Sequence, residues 1–307
     1  MAVLTDGDGA GASDSVMAWP DLVGRVVPLP GARILLSVRQ AELPQQDELC
    51  GPFCALLALR TAGVRPVPDT APLDQEVVAA AAGTVLSAPP RPDSLPPGEP
   101  GLGVRRPLPQ AADAADAGTS APGLARAVGR LSGGRLAAVP ASGPWTPGRL
   151  RSLLDLVTRR LADTAVTVLA NIATGELWDP RAGTAELARH LDTGADAFGP
   201  PMRWRVGHFA TLAGMLTGPA GSLVLVADSY RSLGRDGLHL QPVSRLAAAL
   251  NRDGLAPGGV LLVVPATRRL DAADIVTTAG LRTALWDNGS PDAAADSGQP
   301  PEQVTTA

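Results

Sequence analysis

The sequence predicts an α+β domain, and three observations carry that reading. A cysteine followed by Gly51-Pro52 opens an apolar helix, and further helical patterns continue to about Leu161. From Ala165 onward apolar, strand-like runs take over. Two of those runs are separated only by Gly218-Pro219-Ala220-Gly221, a hairpin loop that makes the pairing antiparallel.

Residues 1–18 are rich in Gly, Ala, Asp and Ser and are expected to be disordered. Arg33-Ile34-Leu35-Leu36-Ser37-Val38-Arg39 reads as a short strand. A polar turn over Gln45-Gln46-Asp47-Glu48 then leads to Cys50. Pro52 suits the first turn of a helix, where its missing N–H would have had no partner. Phe53, Leu56 and Leu57 recur at helical spacing, and Gly63 supplies a stop. Asp74 to Ala82 forms a second, alanine-rich helix. Residues 88–110 carry so many prolines that no regular element fits them; they form either a surface excursion beside a cleft or a tolerated insertion.

Thr119-Ser120 caps a helix from about Pro122 to Leu131, and Thr146 caps another through Leu150, Leu153, Leu154, Val157 and Leu161. Ala165 to Asn171 is a buried strand. The turn-rich Gly175 to Pro180 carries Trp178, which reads as core more than as a pocket wall. Glu186 to Leu191 is a short helix. Val206 to Met215 and Ser222 to Tyr230 form the hairpin. Pairing Met215 with Gly221 sets Leu212 against Val224, Ala210 against Val226 and His208 against Asp228, all directed to one side of the sheet. Ser244 caps a helix through Leu250 that ends near Gly254, Gly259 to Pro265 is a strand, and Leu270 to Trp286 forms a last helix. Beyond Asn288 the composition turns polar. The domain therefore spans 19–287, with the proline-rich excursion at 88–110 and a disordered tail at 288–307.

Composition narrows the class. Hydrophobic content of 45% fits a globular chain of 307 residues, and 34 Gly with 30 Pro imply long irregular connections. The net charge is −4, and no basic stripe interleaved with aromatics suggests nucleic acid. Every cation besides histidine is Arg. The two cysteines, Cys50 and Cys54, lie four apart on one helix, which is neither a disulfide framework nor a zinc signature. The start lacks a basic n-region and a continuous apolar run, and no stretch approaches a bilayer span, so a cytoplasmic location without membrane contact is expected. No metal or organic cofactor is implied, and the oligomeric state is open.

The chemistry centres on Cys50. At a helix entrance the unpaired N–H groups and the dipole favour a thiolate, which is the nucleophilic form. Asp47 and Glu48 next to the thiol should act against this unless they turn away. The competing reading is a small apolar residue at a buried helix start. Gln45 and Gln46 each carry an amide that could face an oxyanion, while the hairpin supplies a His oriented by an Asp. His190 and His239 have no partners at ligand spacing and read as surface residues.

Gln-x4-Cys-Gly-Pro opening an apolar helix resembles the nucleophile segment of papain-like cysteine peptidases, closest to the bacterial branch of bacteriocin leader-processing peptidases and phytochelatin synthases. Gly207-His208-Phe209 followed by a strand, a turn and a strand ending in Asp228-Ser229-Tyr230 is similar to the His and Asp segments of the same group. The group's glutamine usually lies six residues before the cysteine, where this chain has Pro44; Gln45 and Gln46 stand nearer. The resemblance implies a helical half carrying the cysteine helix, packed on an antiparallel sheet half. It also implies a peptide or protein substrate, with Cys50, His208 and Asp228 as a triad and Gln45 or Gln46 serving the oxyanion. Hydrolysis through a thioacyl-enzyme is the expected activity. An inert peptide-binding scaffold and an acyl transferase using the same triad are the alternatives.

Overall fold

The computed structural model describes residues 18–65, 72–91 and 93–291. The expected disorder of 1–17 and 292–307 lies outside them. The fold is mixed α/β, built on a seven-stranded antiparallel sheet.

In chain order, α1 (Trp19–Gly24) and β1 (Val27–Pro28) lead into α2 (Ala32–Glu42). The expected strand at 33–39 is thus a helix. Gly31 in the left-handed conformation starts it, and Ala32, Leu35 and Arg39 are the residues it buries, a helical spacing hidden by the run Ile34-Leu35-Leu36 and by a buried arginine. The cysteine helix α3 (Cys50–Thr61) and α4 (Gln75–Ala82) follow, the latter capped by Asp74 accepting from the Val77 N–H. The two-residue strands β2 (Leu86–Ser87) and β3 (Gln110–Ala111) pair in parallel and bracket the proline-rich stretch. Then come α5 (Ala121–Leu131), β4 (Leu136–Ala141), α6 (Pro147–Arg160), β5 (Thr167–Ala173) and α7 (Thr184–Thr193). Ser120 and Thr146 cap α5 and α6 as their sequence positions imply. The chain finishes with β6 (Gly207–Thr217), β7 (Ser222–Ala227), β8 (Leu238–Pro242), α8 (Val243–Asn251), β9 (Gly259–Pro265) and α9 (Arg269–Thr278). The last helix stops short of Trp286; Gly280, in the left-handed conformation, follows its end.

Strand order is β4-β9-β5-β6-β7-β8, with β1 beside the far end of β6. Helices cover both faces. Leu169, Leu261 and Val263 join the side chains of α3, α4 and α5 in one cluster. Val168, Ala170, Val260 and Leu262 join α6, α8 and α9 in the other, so alternation along β5 and β9 feeds two cores.

The β6–β7 hairpin is real but its register differs from the expected one. Thr217 pairs with Ser222 and Met215 with Val224; a bulge between Leu212 and Gly214 follows, after which Thr211 pairs with Ala227. Asp228 therefore comes level with Ala210, two residues from the expected partner. On the turn side of the bulge the shift is three; beyond it the shift is two, which leaves His208 and Asp228 on one face, whereas a shift of one there would have parted them.

Candidate active site

Cys50 is the first residue of α3, and its thiol is free and half-buried. Gly51 lets that helix start approach β6: a Cβ there would stand 3.2 Å from Leu124, and 3.3 Å from both Phe209 and Thr119. The close approach brings the sulfur to the beginning of β6, where His208 sits. Burial pushes the Cys50 pKa up, but the His208 hydrogen bond and charge, with the backbone N–H groups of Phe209 and Gly51, outweigh it and leave the thiol below its usual range. His208 is 2% exposed. Burial opposes its imidazolium, yet the Asp228 charge and hydrogen bond, reinforced by Cys50, push its pKa up to about 10. The two shifts run in the directions that favour a thiolate facing an imidazolium.

Asp228 follows β7 and holds His208 Nε2 at 3.1 Å through Oδ1, leaving Nδ1 for the thiol. The same oxygen accepts from the Tyr230 N–H at 3.2 Å and the Ser229 hydroxyl at 3.4 Å. Although burial raises the carboxyl pKa, His208 and His239 together hold it far below the ordinary carboxylate range. Trp204 packs edge-on against His208 and Tyr230, at 5.1 and 5.6 Å between ring centroids, and shields the pair from water.

His239 is not the surface residue its sequence context suggested. It lies on β8, 2% exposed, with Nε2 3.8 Å from Asp228 Oδ2. Its tautomer follows from its neighbours. Gln241 Oε1 accepts from the Trp178 N–H, so Gln241 Nε2 is the donor that reaches both the Trp178 carbonyl and His239 Nδ1. His239 Nδ1 is then an acceptor, and the Nε2–H faces Asp228. His190 is likewise buried, its ring nitrogens set against the carbonyl oxygens of Ala195 and Ser222. Trp178 is core, as read, and does not line the cleft.

The two glutamines part company. Gln45 is 2% exposed, lines the cleft with Cys50 and donates from Nε2 to the Tyr230 hydroxyl at 2.6 Å, while its Oε1 has no partner. Gln46 turns away: its amide donates to Glu76 at 2.7 Å. Asp47 and Glu48 do not act on the thiol as feared. Asp47 Oδ1 accepts from the Leu102 N–H at 2.9 Å, and the Glu48 carboxylate accepts from both the N–H and the hydroxyl of Ser87. Glu48 itself is in the left-handed region at φ 60°, a strained conformation two residues before Cys50.

The cleft beside Cys50 has a volume of about 380 Å³. The proline-rich excursion borders it through Arg91 and Ser94, and is pinned there by Trp204 donating to the Asp93 carbonyl and by Glu99 accepting from the Ser232 N–H. Residues 288–290, assigned by composition to the tail, form part of the wall: Asn288 is 7% exposed and donates to the Thr119 carbonyl. Arg39 is 2% exposed and reaches from α2 to the Asp228 carbonyl at 2.5 Å and the Asp236 carbonyl at 2.7 Å. Sequence reasoning missed Trp204, His239, Gln241, Arg39 and Arg252. Only the alternation His239-x-Gln241 carried a signal, since two polar residues two apart share one face of a strand. Among the described residues no group of three or more His, Cys, Asp or Glu side chains is placed to hold a metal ion. Nor is any helix long and apolar enough to cross a membrane.

The chain belongs to DUF6885, a family of unknown function, whose model matches residues 29–287. No curated protein matches the chain. The matched span contains Gln45, Cys50, His208 and Asp228 and stops one residue before Asn288.

Proposed function

We propose that this protein is a papain-like, thiol-dependent hydrolase that cuts a peptide or amide bond through an acyl-enzyme on Cys50. The observation that carries the reading is the continuous line from the half-buried Cys50 through the buried His208 to the buried Asp228 at the wall of a cleft, with thiol and imidazole shifted in opposite directions. The thiolate attacks the carbonyl carbon, and the imidazolium of His208 gives its proton to the departing amine. Water, deprotonated by the same imidazole, then hydrolyses the thioester and restores the thiol. Asp228 keeps the ring oriented and stabilises its charged form.

The oxyanion falls to the Cys50 N–H, at the start of α3 where helix N–H groups have no intrahelical partner, and to the second N–H of the Gln45 amide. Each such donor is worth about 3 kcal/mol of transition-state stabilisation. Both cysteines are free, in keeping with a reducing, cytoplasmic setting.

Incubation with a peptidyl vinyl sulfone tests the reading. Mass spectrometry should find one adduct, on Cys50, and the His208→Ala variant should lose it. Adduct shared equally between Cys50 and Cys54, or none at all, would favour a scaffold that binds peptides without cutting them.

A further inference from the structure

Arg252 is a buried cation of the cleft that the triad leaves without a task. It ends α8 in the left-handed conformation, φ 54°, with no glycine to relieve the strain. Its side chain is buried, 6% exposed, and lines the same cleft as Cys50. Nη1 donates to Asn171 Oδ1 at 2.9 Å and to the Asn288 carbonyl at 3.3 Å. Nε is buried with no partner. Among the described residues no carboxylate pairs with the guanidinium. Nη2 lies over Gly207, the residue before His208, where a Cβ would come within 2.7 Å of it. Absence of a side chain at Gly207 is therefore what admits the cation to the edge of the catalytic strand.

A buried cation held by neutral oxygens alone is costly, and a strained backbone adds to that cost. Within the protein, the negative charge that reaches the guanidinium is the Cys50 thiolate on the same cleft, and no carboxylate among the described residues forms an ion pair with it. The acid on the cleft wall, Glu48, is already occupied by Ser87, and two more arginines, Arg91 and Arg205, line the same space. The buried Nε still has no partner, and a ligand in the cleft is a further source of negative charge that can meet the guanidinium directly. A guanidinium with open donors is matched in shape to a carboxylate, which it can grip with two parallel hydrogen bonds.

We propose that Arg252 forms an anion subsite beside Cys50 that takes a carboxylate of the substrate, so that the preferred substrates are acyl compounds carrying a free carboxylate close to the scissile bond. This rests on Cys50 being the nucleophile, and the test separates the two claims. Iodoacetate and iodoacetamide react alike at a thiolate: sulfur bonds to the methylene carbon, and iodide leaves with the electron pair. They differ in that only iodoacetate carries a carboxylate. The ratio of their rates at Cys50, read by mass spectrometry and divided by the same ratio for glutathione, cancels any change in the thiolate itself.

The ratio should favour iodoacetate in the wild-type protein, in part through His208. Arg252→Gln should lower it by about tenfold, the scale of a charge-assisted pair in a sheltered site, and Arg252→Lys by less. An unchanged ratio in both variants overturns the subsite. Cys50 reacting no faster than Cys54 with either reagent overturns the nucleophile instead. Should both variants unfold, the wild type decides: N-acetylglycine should protect Cys50 from iodoacetamide while N-acetylglycinamide does not, and equal protection by the two, or protection by neither, sinks the carboxylate subsite.

Discussion

At Cys50 the forces are opposed, and their balance sets a measurable profile. Burial disfavours the thiolate; His208 and two backbone N–H groups favour it and prevail. One helical turn on, Cys54 has no such help. It is 1% exposed, its thiol donates to the Phe209 carbonyl at 3.4 Å, and burial, then the charges of Cys50 and Asp228, push its pKa well above 9.0. Alkylation by iodoacetamide, followed by mass spectrometry between about pH 5 and 10, should therefore label Cys50 first and show its rate rising below the pH at which an ordinary thiol ionises. In Asp228→Asn the imidazole loses the charge that lifts it from 6.5 to about 10, the thiolate loses its cationic partner, and the Cys50 profile should move to higher pH. A profile that stays in place would mean that Asp228 serves the fold alone. The sequence led to Cys50, His208 and Asp228 because these residues carry their chemistry in their names. It did not lead to Arg252 or His239, whose roles depend on which neighbours are missing or fixed around them.

Among the elements, α2 shows why a segment misread as a strand matters to the site. As a helix it carries Arg39 under the turn after β7, where the guanidinium satisfies the carbonyls of Asp228 and Asp236. Gly237 opens the space, since a Cβ there would collide with Arg39 Nη2. Arg39→Met removes these charged donors and leaves two carbonyls without them. Urea unfolding should show a loss of about 2–4 kcal/mol, and Cys50 alkylation at neutral pH should slow in parallel as Asp228 drifts from His208. A full stability loss with unchanged alkylation would separate α2 from the site. The hairpin was legible because both strands are largely apolar around a Gly-Pro turn, and His208 and Asp228 kept one face because beyond the bulge the error in register was even. The bulge near Gly214 gave no periodic signal to find, and the short strand β8, set after Gly234 and Gly237, offered only the alternation of His239 and Gln241.

Across the whole molecule, the sheet was legible in its central strands and the helices in their caps, where side-chain chemistry is local. What escaped was the layering. Nothing in a single strand says that α3–α5 cover one face while α6, α8 and α9 cover the other, because both faces of β5 and β9 are apolar. The proline-rich excursion was equally closed to sequence, since its place at the cleft rests on scattered hydrogen bonds from Asp93, Glu99, Leu102, Arg105 and Arg106 to distant parts of the chain.

The cleft wall joins the start of α3 to the start of β6 and to Asn288. A ribosome delivers these parts in order, so Cys50 emerges long before the residues that arm it. Cys50 is then no more reactive than free cysteine while the nascent chain is still being made, and under the proposed function an unfinished copy does not attack its neighbours. A chain released after residue 200 should accordingly show Cys50 alkylating at the rate of a free thiol at neutral pH, whereas full-length protein reacts faster.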